Sequence, residues 1–170
     1  MELPFEVTEL PPADHPEVGA KAPDFTRPLV NEEFWEDTSL SELVDDGPVL
    51  LVFHPADGAF PTTYIWQELT ERDLSVRTVG ISISSPYEHA TTLDERAFDA
   101  AGLYSDPAAG VAEQYGIENE LDGMSGVVEH RPAVFLVDGE REIRYAWAAA
   151  EWPDFPEYDA IEAAVAELEP

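Results

Sequence analysis

Apolar residues along this chain fall into two alternating patterns. Val49-Leu50-Leu51-Val52-Phe53 is a continuous apolar run after a turn, as expected of a strand covered on both faces. Thr62 to Arg72 instead places Ile65, Trp66 and Leu69 at helical spacing. Val76 to Ile83 is a second run rich in β-branched residues and predicts another strand. Pro86 opens the next predicted helix, with Leu93, Ala97 and Phe98 on one face and Gly102 as its end. Leu103-Tyr104-Ser105 then reads as a short strand, and Pro107 opens a helical turn that closes before Gly116. Ala133 to Val137 and Ile143 to Trp147 read as two strands joined by a turn around Asp138-Gly139. Glu157 to Leu168 is a last amphipathic helix with Ile161, Val165 and Leu168 facing inward. Upstream of all these, Thr38-Ser39-Leu40-Ser41-Glu42 predicts a helix start. Ser39 and Glu42 there have capping-box spacing, and Gly47-Pro48 is the stop.

Strands alternating with helices imply a parallel sheet covered on both faces, here closed by an antiparallel hairpin. The predicted fold class is α/β, a three-layer α/β/α sandwich with a mixed central sheet. Residues 1–17 are proline-rich and read as an extended arm with room for one short strand, and 18–170 as a single domain. At 170 residues, with 44% hydrophobic positions, the chain can fold around a real core, which argues against global disorder.

Charge changes the picture more than size does. There are 37 acidic residues against 8 basic ones, a formal charge of -29, and the acids are spread along the whole chain. Such self-repulsion opposes the compact state in dilute salt. At ~1 M salt the Debye length falls to ~3 Å and the repulsion is largely screened. The composition therefore fits a halophilic protein, the alternative being an acidic protein that binds cations or basic partners. Binding to nucleic acid is disfavoured, since no basic patch exists to displace phosphate counterions.

The chain contains no cysteine, which excludes thiol catalysis and thiolate metal sites. Its first ten residues carry acids and a proline where a signal peptide needs a basic and then an apolar region. The apolar run Val49–Phe53 is far too short to span a bilayer, so the expected location is the cytoplasm, with no membrane partner.

Five segments, in order, resemble one family. Val18-Gly19-Ala20-Lys21-Ala22-Pro23-Asp24-Phe25 is similar to the opening of the alkyl hydroperoxide reductase/thiol-specific antioxidant (peroxiredoxin, redoxin) family. Thr38–Leu43 is similar to its first helix, and Val49–Pro55 to the strand that enters the active-site loop. Phe135-Leu136-Val137-Asp138 with Ile143-Arg144-Tyr145-Ala146-Trp147 resembles its hairpin, and Pro156-Glu157-Tyr158-Asp159 the opening of its last helix. The resemblance covers about residues 18–168 and implies a thioredoxin-like fold of the peroxiredoxin type. It also implies homodimers, or a heterodimer with an active paralogue, as partners.

That family reduces peroxides with a thiolate in a loop written PxxxTxxC, helped by an arginine three residues before the hairpin phenylalanine. Here Pro55 keeps the proline, but the threonine position is Ala59 and the cysteine position Thr62, or Pro61 with a one-residue gap. The arginine position is Pro132, with Arg131 beside it. No catalytic residue of the family type is expected. Thioredoxin-fold proteins often carry a cis-proline at this place, so Arg131-Pro132 is expected to be cis.

His54, Asp57, Thr62, Thr63, Tyr64 and Arg131 are candidates to line the old pocket. His15, His89 and His130 lack mutual metal spacing, so no metal and no cofactor is expected. The four tryptophans read as core or as a dimer contact. Three functional readings follow. A non-catalytic binding or regulatory homologue would keep a pocket at the tip of the strand ending at His54. An enzyme with repurposed non-thiol chemistry would perturb the titration of His54. A structural assembly module would fill the pocket with its own side chains.

Overall fold

A computed structural model describes residues 7–96, 100–120 and 124–168. In chain order the strands and helices are β1 (Thr8–Glu9), β2 (Thr26–Val30), β3 (Trp35–Ser39), α1 (Leu40–Val44), β4 (Val49–Phe53), α2 (Phe60–Arg72), β5 (Arg77–Ser82) and α3 (Pro86–Glu95). They continue with β6 (Gly102–Ser105), α4 (Gly110–Gln114), β7 (Glu118–Asn119), β8 (Glu129–His130), β9 (Ala133–Val137), β10 (Ile143–Ala148), β11 (Glu151–Trp152) and α5 (Tyr158–Leu168). The central sheet has seven strands in the order β10-β9-β4-β5-β6-β2-β3. β4, β5 and β6 run parallel, and the outer strands join antiparallel. The sheet is mixed, as expected.

β4 shows why the sequence folds this way. All five of its residues are buried. Side chains alternate across a strand, so Val49, Leu51 and Phe53 enter one core with Leu40, Leu43 and Val44 of α1 and Val111 and Ala112 of α4. Leu50 and Val52 enter the other, with Ile65, Trp66 and Leu69 of α2, Leu93 of α3, and Ile161 and Val165 of α5. A continuous apolar run is what a strand facing two cores requires.

The hairpin β2–β3 has no counterpart in the sequence reading. It lies at the sheet edge, and Trp35, Glu36 and Asp37 are exposed, so no apolar run marks it. Its turn is made by Asn31, whose side-chain oxygen accepts from the backbone N–H groups of Glu33 (2.9 Å) and Phe34 (3.0 Å). Ser39 ends β3 and caps α1, accepting from the Glu42 N–H at 3.1 Å. The reciprocal capping box forms instead at Ser85 and Glu88, at the start of α3.

α3 stops at Glu95, and Ala97 and Phe98 lie outside the described residues. Gly102 does not end that helix but begins β6, where a Cβ would come within 2.9 Å of Leu29 Cδ1 and 3.2 Å of the Val30 carbonyl. The glycine is there to let β2 approach. α4 begins at Gly110 rather than Pro107, after Ala109 takes a left-handed conformation (φ 58°). The Arg131–Pro132 bond is trans, contrary to expectation, and the cis bond among the described residues is Trp152–Pro153. Arg131 N–H donates to the Ile117 carbonyl (3.0 Å) and the Pro132 carbonyl accepts from Ala149 N–H (2.8 Å), which keeps this stretch running straight from β8 into β9. Of the tryptophans, Trp66 is core and Trp35 is 40% exposed.

Candidate functional site

The loops that follow β4 and β5 meet at one end of the sheet, because neighbouring parallel strands deliver their βα loops to the same edge. His54 leaves β4 there with no exposed surface, its backbone N–H donating to the Ile81 carbonyl at 3.1 Å. Its Nδ1 meets the Pro55 carbonyl at 2.7 Å and donates to it. Nε2 is buried without a hydrogen bond and faces Gly80, whose Cα leaves just enough room: a Cβ would sit 2.8 Å from it. Burial lowers the His54 pKa from 6.5 to about 4, against the pull of the Asp57 charge, so the ring is neutral at ordinary pH.

Thr62 lies in the first turn of α2, 1% exposed. Its hydroxyl donates to the Pro55 carbonyl at 2.9 Å, with the Ala56 carbonyl at 3.3 Å. Asp57 is held by its N–H donating to Ser84 Oγ (2.8 Å). Asp57 Oδ2 accepts from His89 Nδ1 and from Thr92 Oγ1, both at 2.7 Å. His89 Nε2 also faces an acceptor, the Tyr104 carbonyl at 2.8 Å, so both ring nitrogens must donate for both bonds to form. Burial pushes the Asp57 carboxyl up, but the His89 hydrogen bond and the nearby charges outweigh it and leave it below its ordinary value.

A second buried acid adjoins this group. Asp106 Oδ2 accepts from His130 Nε2 (2.8 Å) and from the Val111 N–H (3.0 Å), while Oδ1 takes Arg27 Nε (3.0 Å). Desolvation lowers the His130 pKa against the Asp106 carboxylate. Glu129, also buried, accepts from the Ala56 N–H at 3.1 Å.

The structure thus brings His54, Asp57 and Thr62 together and separates the other candidates. Thr63 turns outward to accept from Arg96 Nη1 (3.2 Å), and Tyr64 is 44% exposed against Phe60. Arg131 is buried, but its Nη1 donates to the carbonyls of Pro11 (2.9 Å) and Ala149 (3.2 Å), toward the N-terminal arm. His89, Thr92, Ser84, Asp106, Glu129 and His130 complete the cluster and were not chosen from sequence. At the tip of β4 the side chains of His54, Asp57 and Thr62 lie beneath the surface, with His54 Nε2 and Asp57 Oδ1 left without a hydrogen bond. Among the described residues no base accepts from the Thr62 hydroxyl, which donates to backbone carbonyls, and the basic nitrogen of His54 is buried against Gly80. Among the described residues no group of three or more acids and histidines could hold a metal.

The AhpC/TSA family matches residues 18–146. The chain belongs to this family. A chloroplastic 2-cysteine peroxiredoxin from Chattonella marina var. antiqua is 31% identical over 140 residues, covering 76% of this chain and 69% of the relative. Peroxidoxin BcpB from Mycobacterium tuberculosis matches the structure with a TM-score of 0.74 at 24% identity, covering 92% of this chain and all of that one. A thiol peroxidase from Chromobacterium violaceum gives 0.73 at 24% identity, over 91% and 89%. These two neighbours show the thioredoxin-like peroxiredoxin fold. Against an AhpC/TSA family whose chemistry rests on a loop thiolate, this member places a threonine in the first turn of α2.

Proposed function

We propose that this chain is a non-catalytic peroxiredoxin homologue that acts by binding or regulation in a salt-rich cytoplasm, as a homodimer or beside an active paralogue. One observation carries the reading: the Thr62 hydroxyl, at the family's cysteine position, is spent on the Pro55 carbonyl. A threonine hydroxyl needs an adjacent base to act as a nucleophile, and the neighbouring Asp57 Oδ2 is already taken by His89 and Thr92. The sealed cluster also supports the assembly reading, in which a peroxiredoxin scaffold serves its surface rather than its pocket. The wide scatter of acids supports the halophilic assignment; its check is an unfolding midpoint that rises steeply between about 0.1 M and about 2 M KCl.

The test is hydrogen peroxide consumption in about 2 M KCl with excess dithiothreitol. Wild type and Thr62→Cys are both expected to match the buffer blank, because the threonine and arginine positions hold Ala59 and Pro132. Turnover by the wild type would overturn the reading. Size-exclusion in the same salt then separates binding homologue from assembly module.

A further inference from the structure

His54 and His89 lie side by side where the loops after β4 and β5 meet, with ring centroids 6.5 Å apart and no exposed surface on either. Their surroundings demand different charge states. His54 meets one acceptor, the Pro55 carbonyl, so a single N–H serves it. His89 stands between two: Asp57 Oδ2 is 2.7 Å from Nδ1, and the Tyr104 carbonyl is 2.8 Å from Nε2. A neutral imidazole has only one N–H, and a carbonyl or an ionised carboxylate has none to give back. Whichever ring nitrogen went bare would press its lone pair against an oxygen. The groups around the ring leave no other donor for these contacts. From α3, the Thr92 hydroxyl shares Asp57 Oδ2 at 2.7 Å, and the Glu88 carboxylate accepts from the Ser85 N–H (3.0 Å). From the loop after β5, Ser84 Oγ is taken by the Asp57 N–H. Beyond them lies the Asp106–His130 pair, whose histidine is pushed further toward neutrality by charge on His89.

We infer that His89 is a buried imidazolium whose second proton latches the loop after β4, tying Asp57 of that loop to the Tyr104 carbonyl of β6. Contact with the Asp57 carboxylate offsets the cost of burying the two charges. Once the ring gives its proton to water, it can hold one partner but not both, and Asp57 becomes a buried carboxylate without its counter-charge. Such a group is driven toward water, and it carries the loop with it. The same loop holds the Pro55 and Ala56 carbonyls that receive the Thr62 hydroxyl, so the latch controls access to the family's cysteine position. Its direction is opposite to that of His54. The latch is closed at lower pH and opens as pH rises, whereas the buried neutral His54 ring opposes folding as pH falls. The loop is therefore held within a window of pH.

The test follows the ring nitrogens of His89 by NMR in the full chain while pH is raised from about 6 to about 10. Both nitrogens are expected to be protonated at the start, and one proton to be lost in a single step. In that step the protection of the Ala56 and Asp57 amides against hydrogen exchange should fall by about tenfold or more, while Leu51 and Val52 in β4 keep theirs. Asp57→Asn removes the counter-charge and is expected to move the step down by about one to three pH units. A bare ring nitrogen on His89 at the start, a ring that never loses its proton, or a step that leaves the loop amides protected would each overturn the latch. So would an unmoved step in Asp57→Asn. The first three outcomes are read on the wild type and stand even if the variant does not fold. None involves peroxide turnover, so the latch and the non-catalytic reading fail separately.

Discussion

Two buried polar regions lie on neighbouring turns of this fold and have opposite characters. At the tip of β4, His54, Asp57, Thr62, His89 and Thr92 are short of space and rich in mutual hydrogen bonds. Between β8 and β9, Arg131 borders a cavity beside the N-terminal arm and forms no ion pair among the described residues. In the first region most of the polar groups bond to one another, as buried polar groups must if they are to stabilise a core, with His54 Nε2 and Asp57 Oδ1 left over. The second holds a cation with no acid partner among the described residues. Mutual bonding in the first fits a structural role for the loop after β4.

The sharpest way to break this contrast is to open the closed region. Asp57→Ala removes the acceptor of both His89 Nδ1 and Thr92 Oγ1. The Thr92 hydroxyl can turn to the Glu88 carbonyl at 3.0 Å, but His89 Nδ1 is left a buried donor without its acceptor, so a loss of about 3 kcal/mol is expected from urea unfolding in high salt. A double-mutant cycle with His89→Ala checks the cause: coupling near zero would mean the cluster is not held by this pair.

Acid titration is the next largest effect. The His54 pKa falls from 6.5 to about 4 on folding, so below 6.5 the unfolded chain takes up a proton that the folded chain refuses. Stability is therefore full at higher pH and lost as pH falls from 6.5 toward 4, by about 3 kcal/mol at about 1.4 kcal/mol for each pH unit. His130, lowered by the same burial, adds in the same direction. Unfolding midpoints compared across this range should differ strongly in the wild type and much less in His54→Leu. An equal slope in both would place the acid sensitivity elsewhere.

How much of this could be read in advance depended on range in sequence. The two-faced burial of β4 and the amphipathic faces of α2 and α5 were legible because each is a local pattern repeated over several residues. The β2–β3 hairpin was not, since its side chains are mostly exposed and its turn rests on one asparagine. In the site, His54 and Thr62 were found because both lie on the family's loop. His89 was passed over because its spacing to other histidines suggested nothing, while its actual partner, Asp57, lies 32 residues away. The two meet only because β4 and β5 are parallel neighbours, so a rule comparing successive βα loops would have paired them. Arg131 was placed on the correct strand end, but its side-chain direction is decided by carbonyls of the arm and of Ala149 that no local pattern reveals.

Packing around His54 offers a smaller test. A Cβ at Gly80 would lie 2.6 Å from Leu103 Cδ2, 2.6 Å from Trp66 Cζ2 and 2.8 Å from His54 Nε2. Gly80→Ala should therefore cost about 2 kcal/mol by overpacking, read as a fall in the urea midpoint. An unchanged midpoint would mean that the packing around His54 can yield.

The mildest variant asks what Thr62 does where the family has its cysteine. Thr62→Val keeps the shape and removes the hydroxyl, leaving the Pro55 carbonyl with the His54 ring as its remaining side-chain donor. Carbonyls have two acceptor sites and tolerate the loss of one partner, so the expected cost is about 1 kcal/mol, read as a small fall in the urea midpoint. Peroxide handling should stay as it is. A much larger loss would mean the hydroxyl, rather than the Asp57–His89 pair, anchors the loop after β4. The closed region would then be held by a single bond at the family's old reactive position.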